Sequence, residues 1–342
     1  TVNASAATDA VNLTFSGSNI TYTGGSGVDT LAFGTSLTSA DSIDGGDGSD
    51  VVSATFNAGT VTPAAMTSVE TFNATFSGGA LNASNLGSLT TLNLDNATAS
   101  AVVSGIPTTT TTIKQSATSN TPSINIQYAT GAAATSSWTN GELDAAAIAN
   151  GATTFGNVAT LTVSSGNGVA NDSTVDLGSL NGSAALTSLT LNTSSDTGDT
   201  LDTGAITGVN LETLTISVDE ANFTTGAAAL GSANELKTLT ITNLDKDSSG
   251  DITVGTIGNV SAADELTAIS ITTQGDAATA ETGGGSVVSV GTITATRATT
   301  GSAITEYTIN LAGEYGASTI GPLTGSADIG SINITTDTNG TS

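Results

Sequence analysis

Cysteine and histidine are both absent from the 342 residues. The first absence excludes a disulfide frame and any thiolate metal site. The second removes the commonest general base, the commonest transition-metal ligand and every Ser-His-Asp arrangement. Metal binding is left to carboxylates, carbonyls and hydroxyls, hard oxygen donors suited to calcium or magnesium. Basic residues are nearly missing as well. Lys114, Lys237, Lys246 and Arg297 stand against 30 acidic residues, for a net charge of −26. That balance excludes nucleic acid and insertion into anionic membranes, both of which need basic surface. A halophile's acidic coat is the alternative source of such a charge, but only 10% of residues are charged at all. Acidic residues gathered in a few loops with nothing basic to pair point to cations as the missing partner.

Large side chains and long apolar runs are scarce too. There are 7 Phe, 4 Tyr and 1 Trp beside 41 Gly. Val, Ile, Leu and Ala must therefore build the core, and small aliphatics suit a thin, elongated one, as in solenoids and sandwiches. Apolar runs such as Ala145-Ala146-Ala147-Ile148-Ala149 fall far short of the roughly 20 residues a spanning helix needs. The chain opens Thr1-Val2-Asn3-Ala4, without a basic segment or an apolar run behind it, and its only methionine is Met66. It reads as a processed form or a fragment of a longer protein.

What is abundant is threonine alternating with aliphatics. Thr160-Leu161-Thr162-Val163, Thr213-Leu214-Thr215-Ile216 and Thr238-Leu239-Thr240-Ile241 carry the period of two that puts aliphatics on one face and hydroxyls on the other. These strands belong to a repeat, apolar-x-x-apolar-x-apolar. It reads 89/92/94, 158/161/163, 186/189/191, 211/214/216, 236/239/241, 266/269/271 and 329/332/334, with a weaker copy at 69/72/74. From Leu186 to Leu266 the spacings are 25, 25 and 30 residues, a period that marks stacked architecture. Leucine-rich repeats share part of the pattern, but Ser194 and Leu244 stand where their asparagine is expected. The expected fold is all-β, an elongated β-solenoid of stacked strands, with tandem Ig-like β-sandwiches as the alternative. Two short helices are expected, over residues 142–149 and about 225–230. Residues 116–157 interrupt the repeat and hold Pro122 and Trp138. They read as an irregular connection between residues 1–115 and a repetitive strand-rich domain over 158–342.

Gly24-Gly25-Ser26-Gly27-Val28-Asp29-Thr30-Leu31-Ala32 and Gly45-Gly46-Asp47-Gly48-Ser49-Asp50-Val51-Val52-Ser53 both fit Gly-Gly-x-Gly-x-Asp-x-apolar-x. A degraded copy ends at Asp41 and Asp44 between them, and Asp41 and Asp50 are 9 residues apart. Glycines reach backbone conformations closed to other residues, so such a turn can aim its carbonyls at a cation. The aspartate adds a carboxylate, and the next residues form a short strand. Candidate ligands are Gly24, Gly25, Gly27, Asp29, Asp41, Asp44, Gly45, Gly46, Asp47, Gly48 and Asp50. A second acidic loop supplies Asp245, Asp247, Ser249 and Asp251, with oxygens at positions 1, 3 and 5, Gly250 at position 6 and the apolar Ile252 at position 8. That is the first half of an EF-hand-type loop, although its twelfth position is Thr256. Asp196, Asp199 and Asp202 form a less specific third loop, and Asp172 and Asp176 are weaker still.

On these residues the segment 24–53 resembles the RTX calcium-binding repeats of type I-secreted bacterial proteins. The stretch 37–50, followed by Ser68-Val69-Glu70-Thr71-Phe72 and by threonine-rich strands, is similar to calcium-dependent surface-layer proteins. The resemblance implies an RTX-like calcium β-roll within residues 1–115, calcium as cofactor, an extracellular location at the cell surface reached by type I secretion, and self-assembly with copies of the same chain. Cell-surface polysaccharide is a further candidate partner. A segment of a large repetitive adhesin is the second reading. A calcium-dependent β-helix enzyme acting on polysaccharide is the third. Such enzymes use Arg or Lys at the reacting centre and an aromatic-lined cleft, and one arginine and one tryptophan supply little of either. The chain is therefore read as structural, without catalytic residues.

Overall fold

The computed structural model describes residues 1–17, 19–95, 98–116, 122–131, 134–140, 148–164, 174–193, 200–208, 210–219, 222–226, 235–244, 251–258, 268–273, 288–294, 303–304, 306–312, 319–324, 328–329 and 332–337. Among these residues every regular element is a strand, and every ladder pairing is parallel. Parallel pairing throughout excludes the Ig-like alternative, whose sheets are antiparallel. The protein is a β-solenoid.

Its spine is a 14-stranded sheet to which each coil adds one strand, from Asn12–Thr14 to Ile332–Asp337. The first coils are two-sided: Val2–Asn3, Thr21–Thr23, Ser42–Asp44 and Ala65–Thr67 form a facing four-stranded sheet. A third side opens with Thr60–Val61, and later coils return through two seven-stranded sheets. The early coils are the shortest. In-register partners are 18 residues apart at Asn12 and Thr30, then 20 or 21, then 25 or 28, then 30 at Thr240 and Ser270 and 38 at Ala268 and Glu306, and 25 again at Tyr307 and Ile332.

The sequence repeat and this ladder coincide. Leu189, Leu214 and Leu239 are direct register partners, as are Leu191, Ile216 and Ile241, and all six are buried. Branched and aliphatic side chains on the inward positions thus form one core along the axis. The inward column of the spine runs Leu31, Val52, Phe72, Leu92 and Ile113 in the early coils. The ladder also crosses residues 116–157: Ile124–Tyr128, Ala134–Asn140 and Ala152–Gly156 pair with coils on both sides.

Both expected helices are corrected where they are described. Ile148–Ala149 is a strand paired with Val175 and Asp176, and Thr225 ends the strand Asn222–Thr225. Each supplies a rung that the stack requires, and ladder pairing overrides the helical propensity of the alanine run. Residues 142–147 and 227–230 lie outside the described residues.

Candidate cation site in the first coils

The two glycine motifs lie one directly above the other. Gly24, Gly25 and Gly27 turn the chain between Thr21–Thr23 and Thr30–Ala32; Gly45, Gly46 and Gly48 do the same one coil later. Backbone bonds stitch the turns together: Gly24 N–H donates to Asp44 O at 2.8 Å, Asp47 N–H to Gly25 O at 2.8 Å and Gly45 N–H to Thr67 O at 2.9 Å. Gly46 and Gly48 have φ of 94° and 126°, a region side chains avoid. The coil is therefore 21 residues here, and Asp41 belongs to the opposite turn, formed by residues 38–41.

Asp29 and Asp50 project inward, 0% and 1% exposed. Each caps the backbone of the preceding coil. Asp29 Oδ1 accepts from Val11 N–H at 2.9 Å, and Asp50 Oδ1 accepts from Asp29 N–H at 2.7 Å. The column continues to an acid not picked out as a ligand from the sequence: Glu70 Oε2 accepts from Asp50 N–H at 2.9 Å. Its signal was present, an acid one coil after Asp50 and immediately before the next strand of the spine. Across the molecule, Asp41 is equally buried and equally engaged. Its Oδ1 accepts from Ile20 N–H at 2.6 Å, and its Oδ2 from Thr38 N–H at 2.6 Å and Thr38 Oγ1 at 2.9 Å.

The remaining oxygens of Asp29 and Asp50 sit in two equivalent cradles. A Cβ added to Gly24 would run into the Gly45 carbonyl and Asp29 Oδ2; one added to Gly45 would run into the Ser68 carbonyl and Asp50 Oδ2. In each, a carboxylate oxygen and a carbonyl from the next coil converge on a bare glycine. The cradles differ in the donor offered to the carboxylate. Asp29 Oδ2 accepts from the Tyr22 hydroxyl at 2.7 Å. The register partner of Tyr22 is Ile43, which has no donor to offer. Asp50 Oδ2 is accordingly sealed from solvent without a hydrogen-bond partner.

The electrostatics follow the geometry. Burial pushes the Asp50 carboxyl above its ordinary value; the charges of Asp29, Glu70 and Asp44 push it further, and the bond from Asp29 N–H opposes them. The Tyr22 phenol is also raised, by burial first and then by Asp29 and Asp50. In comparisons with known proteins, no family model, curated protein or solved structure matches this chain. The chemistry of the cradles is thus the guide to what they could hold.

A hard cation at the second cradle would satisfy the bare Asp50 Oδ2 and offset the charge column. Among the described residues no three acidic side chains converge, so backbone carbonyls such as Ser68 O would supply further ligands. Asp44 and Asp47 lie exposed at the rim of the same turn. Of the second acidic loop, Asp251 lies in a much later coil than this site. Asp251 is exposed, donating its N–H to Asn222 Oδ1 at 2.9 Å; Asp245, Asp247 and Ser249 lie outside the described residues. In the third loop, Asp202 is the register partner of Asp176, and burial raises its carboxyl. Asp172, Asp196 and Asp199 lie outside the described residues.

Proposed function

We propose that this chain is a calcium-stabilised structural protein of a bacterial cell surface, a self-assembling surface-layer subunit. The observation that carries the calcium is the second cradle, a buried carboxylate oxygen with no donor at a bare glycine, one coil from a cradle where a phenol supplies one. The unbroken ladder of the spine supports the structural role: each coil gains its stability by stacking on the next. Calcium joins the glycine turns of adjacent coils, and its binding energy becomes folding energy. A chain exported through a calcium-poor compartment would remain loose there and fold outside.

Circular dichroism and electron microscopy, with and without a chelator, test both halves. Calcium should sharpen the unfolding transition and yield sheets with a repeating cell. A chain equally folded in excess chelator would refute the calcium half. Folded chain that never forms a lattice would refute the surface-layer half, and unordered fibres would favour the adhesin reading.

A further inference from the structure

The outer face of the 14-stranded sheet is nearly free of charge. From Asn12–Thr14 to Ala268–Thr273, one outward column reads Asn12, Thr30, Val51, Thr71, Thr91, Thr112, Ser137, Thr162, Thr190, Thr215, Thr240 and Ser270. The column two residues further along each strand holds Ser53, Asn73, Asn93, Asn192, Ser217 and Thr242 among others, with Lys114 as its one charge. Neither column contains Asp or Glu over these coils, in a chain with 30 acids. Charges begin at the margins, with Asp95 at one side and the Lys237–Glu212 pair, 3.0 Å apart, at the other.

We infer that this face is where two copies of the chain meet, sheet against sheet. The inference rests on the self-assembly reading and assigns its contact surface. A molecule of net charge −26 repels its own copy, and burying carboxylates between copies carries a large desolvation cost. This face presents neither obstacle. Its side chains are short, so two such sheets can approach to the roughly 10 Å spacing of packed sheets. With rungs about 4.8 Å apart and strands of five or six residues, the face measures about 60 by 17 Å, or about 1,000 Å² per copy. That exceeds the roughly 800 Å² per partner of a standard stable interface.

The test uses the full chain in calcium, with sedimentation velocity as the readout. Thr162→Glu with Thr215→Glu, and the same positions changed to Lys, should each weaken self-association by about tenfold or more. An equal mixture of the two variants should associate as the wild type does, since Glu then meets Lys. Folded charge variants that associate like the wild type would overturn the inference and leave self-assembly standing. A wild type that stays monomeric would overturn both. Retention of a monomeric chain on insoluble cellulose, lost in the Glu variant, would assign the face to a glycan and also overturn the inference. Should the charge variants fail to fold, Thr215→Cys decides, because the chain has no other thiol. Its alkylation should slow by about tenfold on assembly as the interface buries it, while Ser84→Cys on an exposed turn keeps its rate. Equal rates for both would overturn the assignment.

Discussion

At the scale of single residues, Tyr22 and Ile43 occupy the same place one coil apart and give their neighbouring aspartates opposite fates. Tyr22→Phe would leave Asp29 Oδ2 as bare as Asp50 Oδ2. In chelator this should cost about 1–3 kcal/mol, the penalty for orphaning a buried acceptor, and calcium should recover part of it. Urea unfolding in both conditions measures the difference. Asp50 sets a pH dependence. Its folded carboxyl is raised, so folded protein holds a proton that unfolded protein has already lost. In calcium-free protein the stability it contributes is present below the ordinary carboxylate range and lost as pH rises through the raised value. Asp50→Asn should flatten that slope and make calcium-free protein more stable near neutrality. In calcium the order should reverse, with the wild type the more stable. Urea midpoints at pH 4.5 and 7 check both signs.

At the scale of strands, burial decides which contacts matter. Leu214 is 1% exposed between Leu189 and Leu239, and Leu214→Ala should cost about 2–5 kcal/mol. Glu212 and Lys237 are half-exposed, and Lys237→Ala should cost less than about 1 kcal/mol. Denaturant titration of the two variants tests the contrast. This is also the scale at which the sequence was most legible. The spacings of 25, 25 and 30 read from Leu186 to Leu266 are the coil lengths of the spine, because inward positions must recur once per coil. The site was legible in its residue types but not in its arrangement. Counting nine residues from Asp41 to Asp50 treats them as successive turns of one series, yet hydrogen bonding puts Asp41 on the far edge and stacks Asp50 under Asp29. Glu70 escaped because its motif has no glycine. Ile148 and Ala149 read as the end of a helix because their pairing partners, Val175 and Asp176, lie a full coil away.

At the scale of the molecule, each coil touches chiefly its neighbours, so stability is distributed along an axis rather than about a centre. Chelation should therefore act locally before it acts globally. Amide exchange should quicken first in residues 20–55, where the cradles lie, while Leu189, Leu214 and Leu239 keep their protection until calcium loss spreads. Simultaneous exchange along the whole chain would contradict this. The orientation of the ladder has a mechanical consequence. Its hydrogen bonds run along the axis, so tension applied end to end loads every rung in series, and the chain should yield one coil at a time from the weaker end. A coil of 25 residues would release roughly 80 Å of slack chain. Each rupture then absorbs work while the remaining coils still bear load, so a cell covered by such rods would have a coat that extends under strain before it tears.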